Sequence, residues 1–212
     1  MSSETSRPEP PARAPYSHEW IPADYFRRAT LDEMFPLAPE RPWEIDLGCG
    51  DGTFLVEMAA RFPERNFLGV ERLLGRVRGT CRKAREAGLD NVRVLRLETA
   101  YTVGWLLPRG AADRVHLLFP DPWPKKKHAR HRLFRPDFLA EVRQLLRHGG
   151  EFLFKTDHED YAAEAQEVVA AGLPAWKPAP WEEGDFFYPR TDFEAQWLAL
   201  GKSIHRVRLI AD

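Results

Sequence analysis

From Trp43 onward, short apolar runs alternate with longer stretches of helical periodicity, and this alternation restricts the chain more than any other feature. Strands separated by helix-length connections run parallel, because each connection must cross a face of the sheet before the next strand begins. The expected strands are Trp43–Leu47, Asn66–Val70, Asn91–Leu95, Arg114–Phe119 and Glu151–Lys155. Phe54, Leu55, Met58, Ala59 and Phe62 recur at helical spacing, so Gly52–Phe62 reads as an amphipathic helix stopped before Pro63. Helical segments near 74–87, 99–106, 136–147 and 159–172 supply the other crossings. Ser203–Ile210 alternates apolar with polar residues and is expected to close the sheet as an antiparallel strand.

The implied class is α/β, a Rossmann-like doubly wound and mostly parallel sheet with an antiparallel C-terminal strand. A length of 212 residues suits one domain better than two. Residues 1–15 carry four prolines and few apolar side chains, the composition of a disordered tail, which leaves 16–212 as a single domain. Aromatics mixed with charges from Tyr16 to Phe35 suggest a segment folded back onto that domain, with a helix near 22–34. The formal net charge of -1 excludes a globally basic protein, so attraction to nucleic acid has to come from a local patch. Two cysteines, Cys49 and Cys81, form neither a disulfide framework nor a zinc pattern and suit a reducing compartment. No apolar run approaches the roughly 18 residues of a membrane span, and no signal-peptide core is visible. A soluble cytoplasmic protein is expected.

The stretch Glu44-Ile45-Asp46-Leu47-Gly48-Cys49-Gly50-Asp51-Gly52 joins the first strand to the first helix, where a doubly wound sheet binds its ligand. Thr53 stands where the dinucleotide fingerprint wants its third glycine. Glu44, Asp46 and Asp51 would repel a pyrophosphate but attract an ammonium or sulfonium. Glu71, ending the second strand, is placed to accept hydrogen bonds from two ribose hydroxyls. Glu98, after the third strand, is placed to address an adenine. Together these residues point to S-adenosylmethionine.

After the fourth strand comes Phe119-Pro120-Asp121-Pro122-Trp123-Pro124-Lys125-Lys126-Lys127-His128. Prolines fix φ and remove N–H donors, so Asp121 and Trp123 sit on a stiff backbone beside the cofactor loop. An aromatic ring can stack on a planar nitrogenous substrate while a carboxylate orients the nitrogen that accepts a methyl. Phe119–Arg147 holds eight Lys/Arg against three acids, a footprint for RNA phosphates, with Lys125 to Arg132 expected on the backbone. His128 and His131 lack a third partner, and no metal is expected there.

These residues resemble the bacterial tRNA (guanine-N7-)-methyltransferases over about Trp43–Gly201. Phe119–Lys125 carries the resemblance, with further matches at Phe154-Lys155-Thr156-Asp157 and Thr191-Asp192-Phe193-Glu194. The resemblance implies methyl transfer from S-adenosylmethionine to N7 of a tRNA guanine, variable-loop nucleotide 46. It implies a cofactor site at Glu44, Gly48, Glu71, Glu98 and Asp121, with Asp121 also catalytic. It implies a substrate site at Lys125, Asp157, Thr191, Asp192, Phe193 and Glu194, and a monomer or homodimer. Taken alone, Asp157 reads as a helix N-terminal acid and Thr191 with Glu194 as a capping box. The family usually has Asp-Ala or Asn-Ala where this chain has Glu98-Thr99, and a two-glycine form of the first loop. The alternatives are a methyltransferase for another RNA base, a protein or a small molecule, and a non-catalytic RNA-binding protein.

Overall fold

A computed structural model describes residues 18–212, and the expected tail at 1–15 lies outside them. Among the described residues eight strands form one sheet: β1 (Glu19–Trp20), β2 (Trp43–Leu47), β3 (Asn66–Glu71), β4 (Val92–Arg96), β5 (Ala112–Leu118), β6 (Leu146–Thr156), β7 (Trp176–Ala179) and β8 (His205–Ala211). Their order is β1-β4-β3-β2-β5-β6-β8-β7. Pairing is parallel from β1 through β6 and antiparallel for β6 with β8 and β8 with β7. The helices are α1 (Leu31–Met34), α2 (Thr53–Arg61), α3 (Leu74–Glu86), α4 (Thr99–Tyr101), α5 (Pro136–Leu145), α6 (Glu159–Ala170) and α7 (Asp192–Ala199). A π-helical turn, Thr102–Leu106, continues α4, and a 3₁₀ turn spans Lys126–His131.

The chain runs outward from β2 to β3 and β4, then returns to β5 on the other side of β2. That reversal opens a crevice at the carboxyl ends of β2 and β5, where ligands bind in open α/β sheets. Strand alternation sends Trp43, Ile45 and Leu47 to one face, packed with Phe152, Phe154 and the residues of α5 and α6. The other face carries Phe67, Val92 and Val94 beneath Phe54, Leu55 and Met58 of α2 and Val77 and Cys81 of α3. Glu44 and Asp46 point to this second face, although every residue of β2 is buried. Carboxylates in a central strand require local partners or a ligand.

Several expectations need correction. The helix near 22–34 shrinks to α1, because Thr30 and Glu33 form a capping box that starts the helix only there. Before it, Asp24 Oδ1 accepts from Phe26 N at 2.8 Å, and the Arg28 guanidinium reaches the carbonyls of Leu107 at 2.7 Å and Gly104 at 2.6 Å. The segment does fold back onto the sheet, adding β1 beside β4. The helix expected over 136–147 stops at Leu145, and β6 begins with Leu146. Edge strand β7 was missed because Pro178 argues against a strand, yet proline is tolerated on an edge.

Candidate active site

The crevice holds a cavity of about 440 Å³. Its floor is the β2–α2 loop. Gly48, Gly50 and Gly52 all have positive φ there, and a Cβ on Gly48 would meet nothing within 4 Å, so the backbone stays open to a bound molecule. Gly52 serves a different purpose: its φ is +80° and a Cβ there would run into the Thr80 side chain, so glycine lets α2 pack onto α3.

The cavity wall is acidic. Asp46 is fully buried, and burial together with repulsion from Glu71 pushes its carboxyl up to about 7. Glu71 is buried at the end of β3 and accepts from Leu73 N at 2.8 Å, which fixes the carboxylate at the cavity edge. Asp51 is raised by burial, but Lys83 at 2.5 Å outweighs this and holds its carboxyl at about 2. Glu98 lines the cavity while its two oxygens accept from Ala100 N and Tyr101 N, at 2.9 and 2.7 Å, capping α4. Its carboxylate therefore does double duty at the helix end.

Opposite the glycine loop stands the proline-rich turn after β5. Phe119 and Trp123 both have positive φ, 51° and 44°, a backbone that non-glycine residues seldom hold. Two anchors hold it: Phe119 N donates to Lys155 O at 2.8 Å, and Arg132 Nε donates to Pro122 O at 2.8 Å. Arg132 is itself buried, paired with Glu164, and lies over the Tyr161 ring at 4.9 Å. The turn presents Asp121 and Trp123 to the cavity, with the His131 ring 5.0 Å from Trp123.

The third wall comes from the start of α7, where Thr191, Asp192 and Phe193 line the cavity. Thr191 accepts from Glu194 N at 3.0 Å, so half of the expected capping box forms. Glu194 does not complete it. Its side chain turns inward, 1% exposed, onto Lys155. Thr53 Oγ1 lies 3.1 Å from Asp51 and 3.2 Å from Asp192, which ties α7 to the glycine loop.

The crevice thus brings together Gly48, Glu71, Glu98, Asp121, Thr191, Asp192 and Phe193. Glu44 is not among them. It is 1% exposed and meets His116 Nε2 at 2.9 Å and Arg65 at 2.8 Å, beneath the aromatic segment that includes Tyr188. Burial would raise the Glu44 carboxyl, but His116, Arg114 and Arg65 outweigh it and hold it below its ordinary value. Burial lowers His116 despite Glu44, so the neutral imidazole donates from Nε2 and accepts the Tyr188 hydroxyl at Nδ1, 2.7 Å away. Asp157 lines a separate hollow with His158 and His205 and pairs with Lys202 at 2.8 Å. Lys125 is exposed at the foot of the 3₁₀ turn, outside the cavity lining.

The basic run also divides. Arg132 supports the turn, Arg143 donates to Ala175 O at 3.2 Å, and Arg147 donates to Asp113 at 2.7 Å. Lys125, Lys127 and Arg130 remain exposed near the cavity. Arginine at 132 reads as surface charge in a sequence, and only the fold reveals its carbonyl and carboxylate partners. The cavity-lining Arg72 and Arg76 carry no such signal in the sequence, whereas Asp46, expected as part of the acidic charge of the loop, does line the cavity.

The family model described as "Putative methyltransferase" matches residues 40–207. The tRNA (guanine-N(7)-)-methyltransferase of Halorhodospira halophila is 38% identical over 183 residues, covering 82% of this chain and 76% of that protein. The protein of the same name from Deinococcus radiodurans is 34% identical over 184 residues, 84% of this chain and 55% of that longer protein. Among solved structures, the 16S rRNA methyltransferase KamB shares the fold, with a TM-score of 0.63 at 19% identity over 87% of this chain and 96% of that one. The chain belongs to the tRNA (guanine-N(7)-)-methyltransferase family.

Proposed function

We propose that this chain transfers the methyl group of S-adenosylmethionine to N7 of a guanine in tRNA, the variable-loop nucleotide 46, forming 7-methylguanosine. The observation that carries the reading is the placement of Asp121 on a strained, anchored turn across one cavity from the buried carboxylates Asp46 and Glu71. The reading rests equally on the family relationship.

The residues present fit the cofactor. The Asp46 carboxyl is buried, accepts no side-chain hydrogen bond among the described residues and is pushed up to about 7, a cost that a cationic ligand relieves. Glu71 is placed for two ribose hydroxyls, Gly48 leaves room for close backbone approach, and Glu98 flanks the adenine position. S-adenosylmethionine supplies an electrophilic methyl group on a sulfonium.

The chain's own work is positioning and charge. Guanine N7 carries an in-plane lone pair and no proton, so the site needs no strong base. Trp123, 37% exposed, offers a stacking surface for the base. Asp121 faces the ring, which gains positive charge as the N7–methyl bond forms, and a carboxylate there stabilises that charge. Lys125, Lys127 and Arg130 hold the RNA backbone. Thr191, Asp192 and Phe193 contact the substrate from α7, Asp157 contacts it from the neighbouring hollow, and Glu194 acts by holding the start of α7 in place.

Residues 16–212 form the methyltransferase domain in this reading, working as a monomer or homodimer in the cytoplasm. Among the described residues no helix is long and apolar enough to cross a membrane. The test is incubation of purified protein with unmodified tRNA and methyl-labelled S-adenosylmethionine, followed by nucleoside analysis. Label in 7-methylguanosine supports the reading; label in any other nucleoside overturns the base assignment.

A further inference from the structure

Helix α3 crosses from β3 to β4 with its starting end at the cavity, and Arg72 and Arg76 line that cavity. Its buried side is Val77, Thr80, Cys81 and Ala84. At 100° per residue the opposite crest carries Gly75 and Gly79 over its first turns, followed on the same line by Arg82 and Glu86 at the far end of the helix. A Cβ at either glycine would meet nothing within 4 Å, so no internal packing calls for them. Glycine is among the poorest helix formers, and the fold gains nothing from two on one exposed face.

Cations flank this crest on both sides. Arg72, Arg76 and Lys83 lie toward the glycine loop, and Arg78 and Arg85, joined by Arg82 from the end of the crest, lie on the far side. Glu86 is the sole carboxylate between residues 72 and 86. It stands 4.0 Å from Arg82 with both side chains 69% exposed, a pair too solvated to neutralise the surface. Lys83 is committed to Asp51 at 2.5 Å, whereas Arg72, Arg78 and Arg85 form no ion pair among the described residues. A solvated helix face normally interleaves both signs at i, i+4 spacing, and this one does not.

We propose that the outer face of α3 is a second tRNA-binding surface, with the sugar-phosphate backbone running along Gly75 and Gly79 between two rows of cations. This inference rests on the reading of an RNA substrate given above. A base held in the cavity brings its own phosphates to the rim, and the rim on this side begins with Arg72 and Arg76. The basic turn at Lys125–Arg130 grips the strand on the opposite side of the cavity, so the two patches bracket the reacting nucleotide. Glycines on the crest let the backbone approach where any larger side chain would hold it off.

The test replaces the far row in the full-length protein, as the triple variant R78Q/R82Q/R85Q, because these side chains line no part of the cavity. Affinity for an unmodified tRNA transcript is measured by fluorescence anisotropy over a range of salt concentrations. The expected result is binding weakened by about 10-fold or more, with the log–log salt slope shallower by about 2–3, since each of the three lost phosphate contacts removes roughly 0.7–0.9 of a unit. Affinity for S-adenosylmethionine stays at the wild-type value, and R78K/R82K/R85K keeps most of the tRNA affinity. Loss of binding by the glutamine variant to whatever RNA the wild type binds supports the surface, even where the methylated product is not 7-methylguanosine. Wild-type affinity and salt slope in the glutamine variant overturn it, even where the product is 7-methylguanosine.

Discussion

The Lys155 ammonium lies 2.7 and 2.8 Å from the two carboxylate oxygens of Glu194, and the two side chains are 4% and 1% exposed. One partner sits on the central strand β6 and the other in the first turn of α7, so the pair fastens a cavity wall to the sheet. Aromatic rings close over it, with Tyr188 4.8 Å from the ammonium. Removing one member of such a pair strands the other charge in a dry interior.

Glu194→Met is therefore expected to destabilise the protein by about 3–5 kcal/mol. Replacing both residues, as Lys155→Met with Glu194→Met, is expected to cost much less than the sum of the two single changes. Denaturant unfolding of the four proteins measures the coupling, and additive losses would show that the two groups act independently.

Asp46 makes cofactor affinity depend on pH. Its carboxyl is raised from 3.8 to about 7, so its contribution to the stability of the free protein is greatest below about 4 and is lost as pH rises through about 7. A cationic ligand favours the ionised form, so affinity for S-adenosylmethionine rises with pH and levels off above about 7. Calorimetric titrations from pH 5.5 to 8.5 are expected to show that rise, and Asp46→Asn is expected to bind weakly with a flat profile.

Gly52→Ala tests the loop backbone. A φ of +80° strains any side chain, and the added Cβ would collide with Thr80. The expected loss is about 1–3 kcal/mol in stability, from strain of this kind, together with weaker cofactor binding. A thermal melt with and without S-adenosylmethionine reads both, and unchanged values would mean that the loop adapts freely.

The sheet was legible in the sequence because its strands are short apolar runs with helical crossings between them, and all five central strands form within a few residues of their expected positions, the largest departure being β6, which starts five residues early. That Gly48, Glu71 and Asp121 line one cavity was legible for a related reason: they stand at strand ends, and strand ends define the crevice. Glu44 reads as a ligand contact because it precedes the cofactor loop, whereas register sets it against His116, Arg114 and Arg65, outside the cavity lining. Glu194 is a similar case: a Thr-x-x-Glu spacing predicts a carboxylate turned back to its own helix, and a buried lysine on a strand 39 residues earlier won that carboxylate instead. Arg132 looked like one more surface cation until its carbonyl and carboxylate partners were in view. In each case a long-range electrostatic partner decided the outcome, and local spacing carries no trace of it.

Asp121 is exposed, so its substitution tests chemistry with little risk to the fold. Asp121→Asn is expected to lower turnover by on the order of 10²-fold, as for loss of one electrostatic stabiliser. Single-turnover kinetics at saturating cofactor check this, and full turnover with unaltered cofactor affinity would remove Asp121 from the catalytic role.

The most direct test of methyl transfer to N7 maps the product within the tRNA. Unmodified transcript treated with the protein and S-adenosylmethionine is reduced with borohydride and cleaved with aniline, which breaks the chain at 7-methylguanosine. One cleavage is expected, at the variable-loop guanine, absent when the cofactor is omitted. An intact transcript that has nonetheless gained methyl label would place the methyl on another atom and rule out transfer to N7.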